Sequence, residues 1–129
     1  LGSRGLGDVY KRQGMFRAMQ LAAATALEAE ADWYEGNNEN YRNRRHLAGE
    51  IMKTLGCTYD EKQVGMFLWG KIPASCKDVE ELTEKVLHEA RVFITPGFIF
   101  GSNGARYIRI SLCCKDNKLA EALERIKRI

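Results

Sequence analysis

The sequence predicts an α/β fold: about three strands packed by helices, preceded by one long helix. Three observations carry this expectation. Residues 107–112 alternate in the two-residue period of a strand with one buried face. Residues 78–90 place Val79, Leu82, Val86 and Ala90 on one helical face. After residue 60 the elements run strand, helix, strand, strand, helix, the order of a small sheet with helices laid against it.

Residues 1–13 carry three glycines, no amphipathic period and no capping pattern, and are set aside from the fold. Their string GLGDVYKRQ resembles translated sequencing-adapter read-through, so they are read as a non-native or disordered leader. From Met15 onward, Phe16, Met19, Ala23 and Ala26–Leu27 recur at three- and four-residue steps in an alanine-rich helix. A second helix is expected from Asp32, as N-cap, to Leu55. Tyr41, Ala48, Ile51, Met52 and Leu55 form its apolar stripe, Gly56 is its C′ glycine, and Gly36-Asn37-Asn38 weaken its first turns. Val64 to Trp69 reads as a strand ended by Gly70 and Pro73. Residues 78–90 form the third helix. Val92 to Thr95 reads as a short strand stopped by Pro96-Gly97. Tyr107 to Leu112 is the last strand, and Leu119, Ala122, Leu123 and Ile126 mark a closing helix. The first helix has no partner of its own, which reads as a piece of a larger body.

Composition narrows the function classes. Hydrophobic residues at 45% and charged residues at 29% describe an ordinary globular chain rather than a disordered tail. Of the net charge of +3, Arg4, Asp8, Lys11 and Arg12 account for +2, leaving +1 for residues 14–129. A body so close to neutral offers no footprint for nucleic acid or an anionic membrane. The four cysteines form no CxxC pair and no metal-ligand spacing with His46 or His88. They are expected to be buried free thiols, the adjacent Cys113–Cys114 pair included. Reduced cysteines and the lack of an apolar leader segment point to the cytoplasm.

The residue that stands out is Arg109. Ile108, Ile110 and Leu112 share one face of their strand and are expected to enter the core, while Tyr107, Arg109 and Ser111 share the other. A guanidinium there faces solvent, an ordinary ion-pair partner or a second body of protein, and its planar fork suits a carboxylate. Spacing alone favours a solvated arginine. The Gly101–Gly104 stretch lacks GxGxxG spacing and leads into a strand, so it is not a phosphate cradle.

A resemblance adds to this reading. Val92-Phe93-Ile94-Thr95-Pro96-Gly97, Phe100-Gly101, Gly104 and Tyr107-Ile108-Arg109-Ile110-Ser111 together resemble the C-terminal signature of class I/II aminotransferases. These are fold-type I pyridoxal-phosphate (PLP) enzymes, and the match is to the aspartate and LL-diaminopimelate aminotransferase branch. Tyr41, Arg44 and Arg45 resemble the Tyr-x-x-Arg-Arg of the family's interdomain helix, and Gly65 to Trp69 its Gly-x-Phe strand. For Tyr41, Arg44 and Arg45 a solvated helix face is expected, and for Met66, Phe67 and Trp69 a place in the core or a cleft wall. The resemblance implies that residues 14–30 are a remnant helix of a missing large domain. Residues 31–129 would then be the interdomain helix plus the C-terminal small domain. It implies that Arg109 binds the substrate α-carboxylate, that Pro96-Gly97 bends Phe98 to Phe100 toward the cleft, and that the substrates are an amino acid and a 2-oxo acid. It also implies a homodimer when complete.

The same resemblance places the PLP-attachment lysine, its acidic partner and the phosphate donors upstream of this segment. Lys53, Lys85, Lys118 and Lys127 are expected as solvated helix charges. No catalytic, cofactor or metal-binding residue is therefore assigned in this chain, which is expected to be inactive alone. Two alternatives stay open: a PLP-dependent carbon–sulfur lyase or related enzyme on the same scaffold, and a stand-alone ferredoxin-like small-molecule-binding module.

Overall fold

The computed structural model describes residues 14–129; the expectation for the leader, residues 1–13, lies outside the described residues. The chain divides into two compact units with the boundary after Asn37, and each is described by itself.

In the first unit, α1 (Arg17–Leu27) is the alanine-rich helix foreseen from its periodicity, yet it buries no side chain. Phe16, Met19, Leu21 and Leu27 are all exposed. The start of α2 (Ala31–Thr54) follows, where the Tyr34 hydroxyl donates to the Ala26 carbonyl at 3.1 Å. Asp32 falls inside the first turn rather than at the N-cap, a position where its carboxylate still complements the helix dipole. The helix runs unbroken through Gly36-Asn37-Asn38, because one glycine costs only about 1 kcal/mol in a helix interior.

The second unit begins within α2. That helix ends in a Schellman motif: Gly56, at φ +69°, donates to Lys53, and Cys57 donates to Met52. The glycine is required because the C′ position takes the left-handed conformation. Then come β1 (Phe67–Lys71), α3 (Val79–Lys85) continued by a π-helical turn over Val86–Ala90, β2 (Thr95–Pro96), two 3-10 turns over Gly97–Phe100 and Ser102–Gly104, β3 (Tyr107–Ser111), and α4 (Asp116–Ile126). The sheet order is β1-β3-β2 and both pairings are antiparallel.

The helix α3 starts where its residues dictate. The Asp78 carboxylate accepts from the Glu81 amide at 2.9 Å, and the Glu81 carboxylate accepts from the Lys77 amide at 2.8 Å, a capping exchange of the kind that satisfies orphan helix donors. The inner sheet face carries Leu68, Ile108, Ile110 and Leu112. These pack with Ile51 and Met52 of α2, Val79, Leu82 and Val86 around α3, and Leu119, Leu123 and Ile126 of α4. Each such fully buried aliphatic side chain contributes about 1.5–3 kcal/mol relative to exposure.

Three sequence expectations are corrected. The first strand begins at Phe67, not Val64, and includes Gly70 rather than ending there. A Cβ at Gly70 would stand 2.5 Å from Met52 Sδ, so this glycine admits α2 against the sheet. The second strand is Thr95–Pro96 alone. Arg91, the one non-glycine residue with positive φ among those described, turns the chain, and the Val92 amide folds back to the Val86 carbonyl at 3.5 Å. Val92 and Phe93 therefore never reach the ladder, and Pro96 has no N–H to extend it. Finally, only Cys57 is buried; Cys76 is intermediate, and Cys113 and Cys114 are exposed. The latter two follow the end of β3, past the last inward side chain. Burial pushes the Cys57 thiol up to about 11. Among the described residues, no helix is long and apolar enough to cross a membrane.

Candidate functional site

The outer face of the sheet is built by alternation. With Leu68 and Gly70 turned inward, Phe67 and Trp69 of β1 face outward; with Ile108 and Ile110 inward, Arg109 of β3 does the same. Register sets Trp69 directly opposite Arg109 and Phe67 opposite Ser111. The Arg109 guanidinium carbon lies 4.2 Å from the centre of the Phe67 ring and 3.9 Å from that of Phe100, with Trp69 at 6.0 Å. Trp69 meets Phe100 edge-on, with centroids 5.4 Å apart. Phe100 arrives from the loop after β2, not from the sheet. Such guanidinium–ring contacts are each worth about 0.5–1 kcal/mol at exposed sites and more when desolvated.

That loop depends on three glycines. A Cβ at Gly97 would lie 2.5 Å from the Gly104 carbonyl oxygen and 2.6 Å from that of Tyr107. The two 3-10 turns therefore interlock backbone to backbone. Gly101 between them, at φ +124°, takes a conformation open mainly to glycine. Phe98, Ile99 and Phe100 are left exposed, and Phe100 lies against Arg109.

Arg109 itself is partly buried. Among the described residues it makes no ion pair and no side-chain hydrogen bond. Its rings cover the π faces of the guanidinium and leave the N–H edge uncommitted. This arrangement is neither of the simplest sequence-level options, a fully solvated arginine or a paired one.

Arg106 behaves differently. Its two Nη atoms donate to the carbonyls of Pro73, Cys76 and Lys77 at 2.8–3.1 Å, clasping the loop before α3. The other sequence-flagged arginines are also committed, which corrects the expectation of a solvated helix face. Arg44 Nε donates to Asp116 at 2.7 Å and Nη1 to the Leu112 carbonyl at 3.3 Å. The Asp116 carboxylate holds the Arg44 pKa above its ordinary value. Arg45 donates to the Gly65 carbonyl at 2.8 Å, and Tyr41 packs against the core and beneath Arg44. Long guanidinium arms lie along the helix and reach backbone that a shorter side chain would miss.

A cleft of ≈ 290 Å³ borders Arg109 along the edge of β3 that the short β2 leaves uncovered, floored by Ile51, Ile94, Ile110 and Leu119. No group of three or more His, Cys, Asp or Glu residues is placed to hold a metal among the described residues.

Pyridoxal phosphate is the group the resemblance implies. Its attachment needs a lysine amine that sheds its proton readily, through burial or a neighbouring cation. Every lysine among the described residues is exposed. Lys53, Lys118 and Lys127 are each held by a glutamate within one turn, and the Glu50 carboxylate raises the Lys53 pKa, the opposite of what attachment requires. The donor set of these residues fits a carboxylate and does not fit the cofactor.

Sequence reasoning singled out Arg109 and flagged the apolar Phe98–Phe100 loop, but missed that Phe67 and Phe100 meet on the guanidinium. It also missed the Arg106 clasp. Alternation could have put Phe67 and Arg109 on like faces of their strands; only the β1–β3 register makes them neighbours.

Comparisons with known proteins bear on the family and the fold. A family model described as aminotransferase class I and II matches residues 9–126. The chain is similar to an LL-diaminopimelate aminotransferase of Desulforudis audaxviator, 36% identical, over 88% of this chain and 29% of that protein. It is also 32% identical to transaminase BacF of Bacillus subtilis, over 90% of this chain and 29% of BacF. Among solved structures, substrate-bound BacF superposes with a TM-score of 0.72 at 33% identity, over 89% of this chain and 30% of that one. An aromatic aminotransferase of Pyrococcus horikoshii gives 0.72 at 33% identity, over 84% and 30%. The chain thus spans about three tenths of the length of the relatives it matches.

Proposed function

Because this chain belongs to the class I and II aminotransferase family, we propose that it is the substrate-carboxylate-binding portion of a PLP-dependent aminotransferase acting on an amino acid and a 2-oxo acid. One observation carries the proposal: Arg109 presents a guanidinium stacked on its faces, with its donating edge uncommitted among the described residues. In this reading residues 14–30 belong with a large domain that supplies the cofactor lysine. The complete enzyme is a cytoplasmic homodimer of amino acid metabolism, and residues 14–129 alone are inactive.

The contribution of this chain is binding and orientation. Two parallel charge-assisted hydrogen bonds fix both the position of the carboxylate and its rotation. Fixing those degrees of freedom presents the adjoining Cα in one attitude, and orientation of this kind lowers a barrier by several kcal/mol. The bond-breaking chemistry lies with groups outside these residues.

The test is Arg109→Ala in the enzyme expressed from its complete reading frame. Losing a charge-assisted pair worth ~1.5–3 kcal/mol lowers kcat/KM for amino acids by about 10- to 150-fold. Unchanged efficiency with amino acids would falsify the assignment.

A further inference from the structure

We propose that Phe67 and Phe100 act as positioning residues that make Arg109 selective for planar carboxylates over tetrahedral oxyanions, an inference that rests on the carboxylate reading above. A guanidinium can be approached over either π face or along its N–H edge. Here the guanidinium carbon is at stacking distance from two phenyl rings, 4.2 and 3.9 Å. Those rings come from different elements, one from β1 and one from the loop after β2. The ring that Phe100 contacts is Trp69, edge-on. Phe67 and Phe100 thus take one face each, and approach is confined to the plane of the fork.

Shape then follows from chemistry. A carboxylate is flat, and both of its oxygens lie in the fork plane when it binds two-pointed. A sulfonate or phosphonate always carries an oxygen out of that plane. Between two rings, that oxygen either presses on a phenyl face or tips the anion until one of the two hydrogen bonds is lost. The negative face of each ring quadrupole also repels an oxyanion placed over it while favouring the cation. Phe100 holds its place through the Gly97–Gly104 backbone interlock, so the slot is set by the loop's own packing.

The experiment uses the 129-residue chain. The Arg109 side-chain Nε–H resonance is followed by NMR during titration with propionate and, separately, with ethanesulfonate, a probe of like size and charge. The quantity read is the ratio of the two dissociation constants. In the unmodified chain propionate binds more tightly. In Phe100→Leu the ratio falls toward unity by about threefold or more, the scale of one lost ring contact, and the ring-current displacement of the Arg109 signal diminishes. Phe100 is 49% exposed, so this change spares the core; Phe67→Leu tests the second face independently and shifts the ratio the same way. An unchanged ratio in both variants, or equal weakening for both anions, overturns the proposal and leaves carboxylate binding standing. If the Arg109 signal of the unmodified chain answers neither anion, the carboxylate reading fails as well.

Discussion

Arg106 and Arg109 lie three residues apart, one just before β3 and the other in its middle, and the fold uses them in opposite ways. Around Arg106, three backbone carbonyls of the loop before α3 converge on one guanidinium. Around Arg109, among the described residues, no acceptor converges; three aromatic rings do. The first region spends its donors on the protein and so holds a loop in place. The second stabilises a cation while keeping its donors available. The difference teaches that an arginine's role is decided by which of its surfaces the chain occupies, edge or face, more than by how buried it is, since both are partly buried.

If that comparison is right, stability and binding should separate between the two arginines. Arg106→Ala carries the largest expected loss. It strands the Pro73 and Cys76 carbonyls in partly buried surroundings and should cost about 2–4 kcal/mol of unfolding free energy, read from the midpoint shift in denaturant at constant slope. A loss under half a kcal/mol would erase the distinction. Gly97→Ala should come next, at about 1–3 kcal/mol. Its Cβ meets two backbone oxygens that cannot rotate away, and the displaced loop should carry Phe100 off Arg109, which tryptophan fluorescence reports through Trp69. Arg109→Ala should change stability least, by about 1–2 kcal/mol, because only two close ring contacts are lost. A large destabilisation there would make Arg109 a structural residue like its neighbour.

Much of this was legible in the sequence, for reasons that particular residues make plain. The helix α3 announced itself because its stripe, Val79, Leu82 and Val86, is a local pattern. The inward and outward faces of β3 followed from alternation alone, and with them the outward course of Arg109. What could not be read is non-local. Val92 and Phe93 have strand-forming side chains, but the left-handed Arg91 and the closed π turn direct them away from the ladder. Gly70 looked like a terminator because nothing local reveals that Met52 presses against it. Phe100 and Phe67 are 33 positions apart in the chain, and their meeting on one guanidinium depends on a register and a loop path that no window of sequence contains. The clasp of Arg106 on residues 73–77 is hidden in the same way.

The most direct test follows both guanidinium groups at once. In a single carboxylate titration of the 129-residue chain, the side-chain Nε–H resonances of Arg106 and Arg109 are recorded together. The account predicts a saturable shift at Arg109 with Arg106 unmoved, because the Arg106 Nη atoms already donate to three carbonyls whereas Arg109 has no acceptor among the described residues. Matching responses at the two arginines, or a response at Arg106 alone, would contradict it.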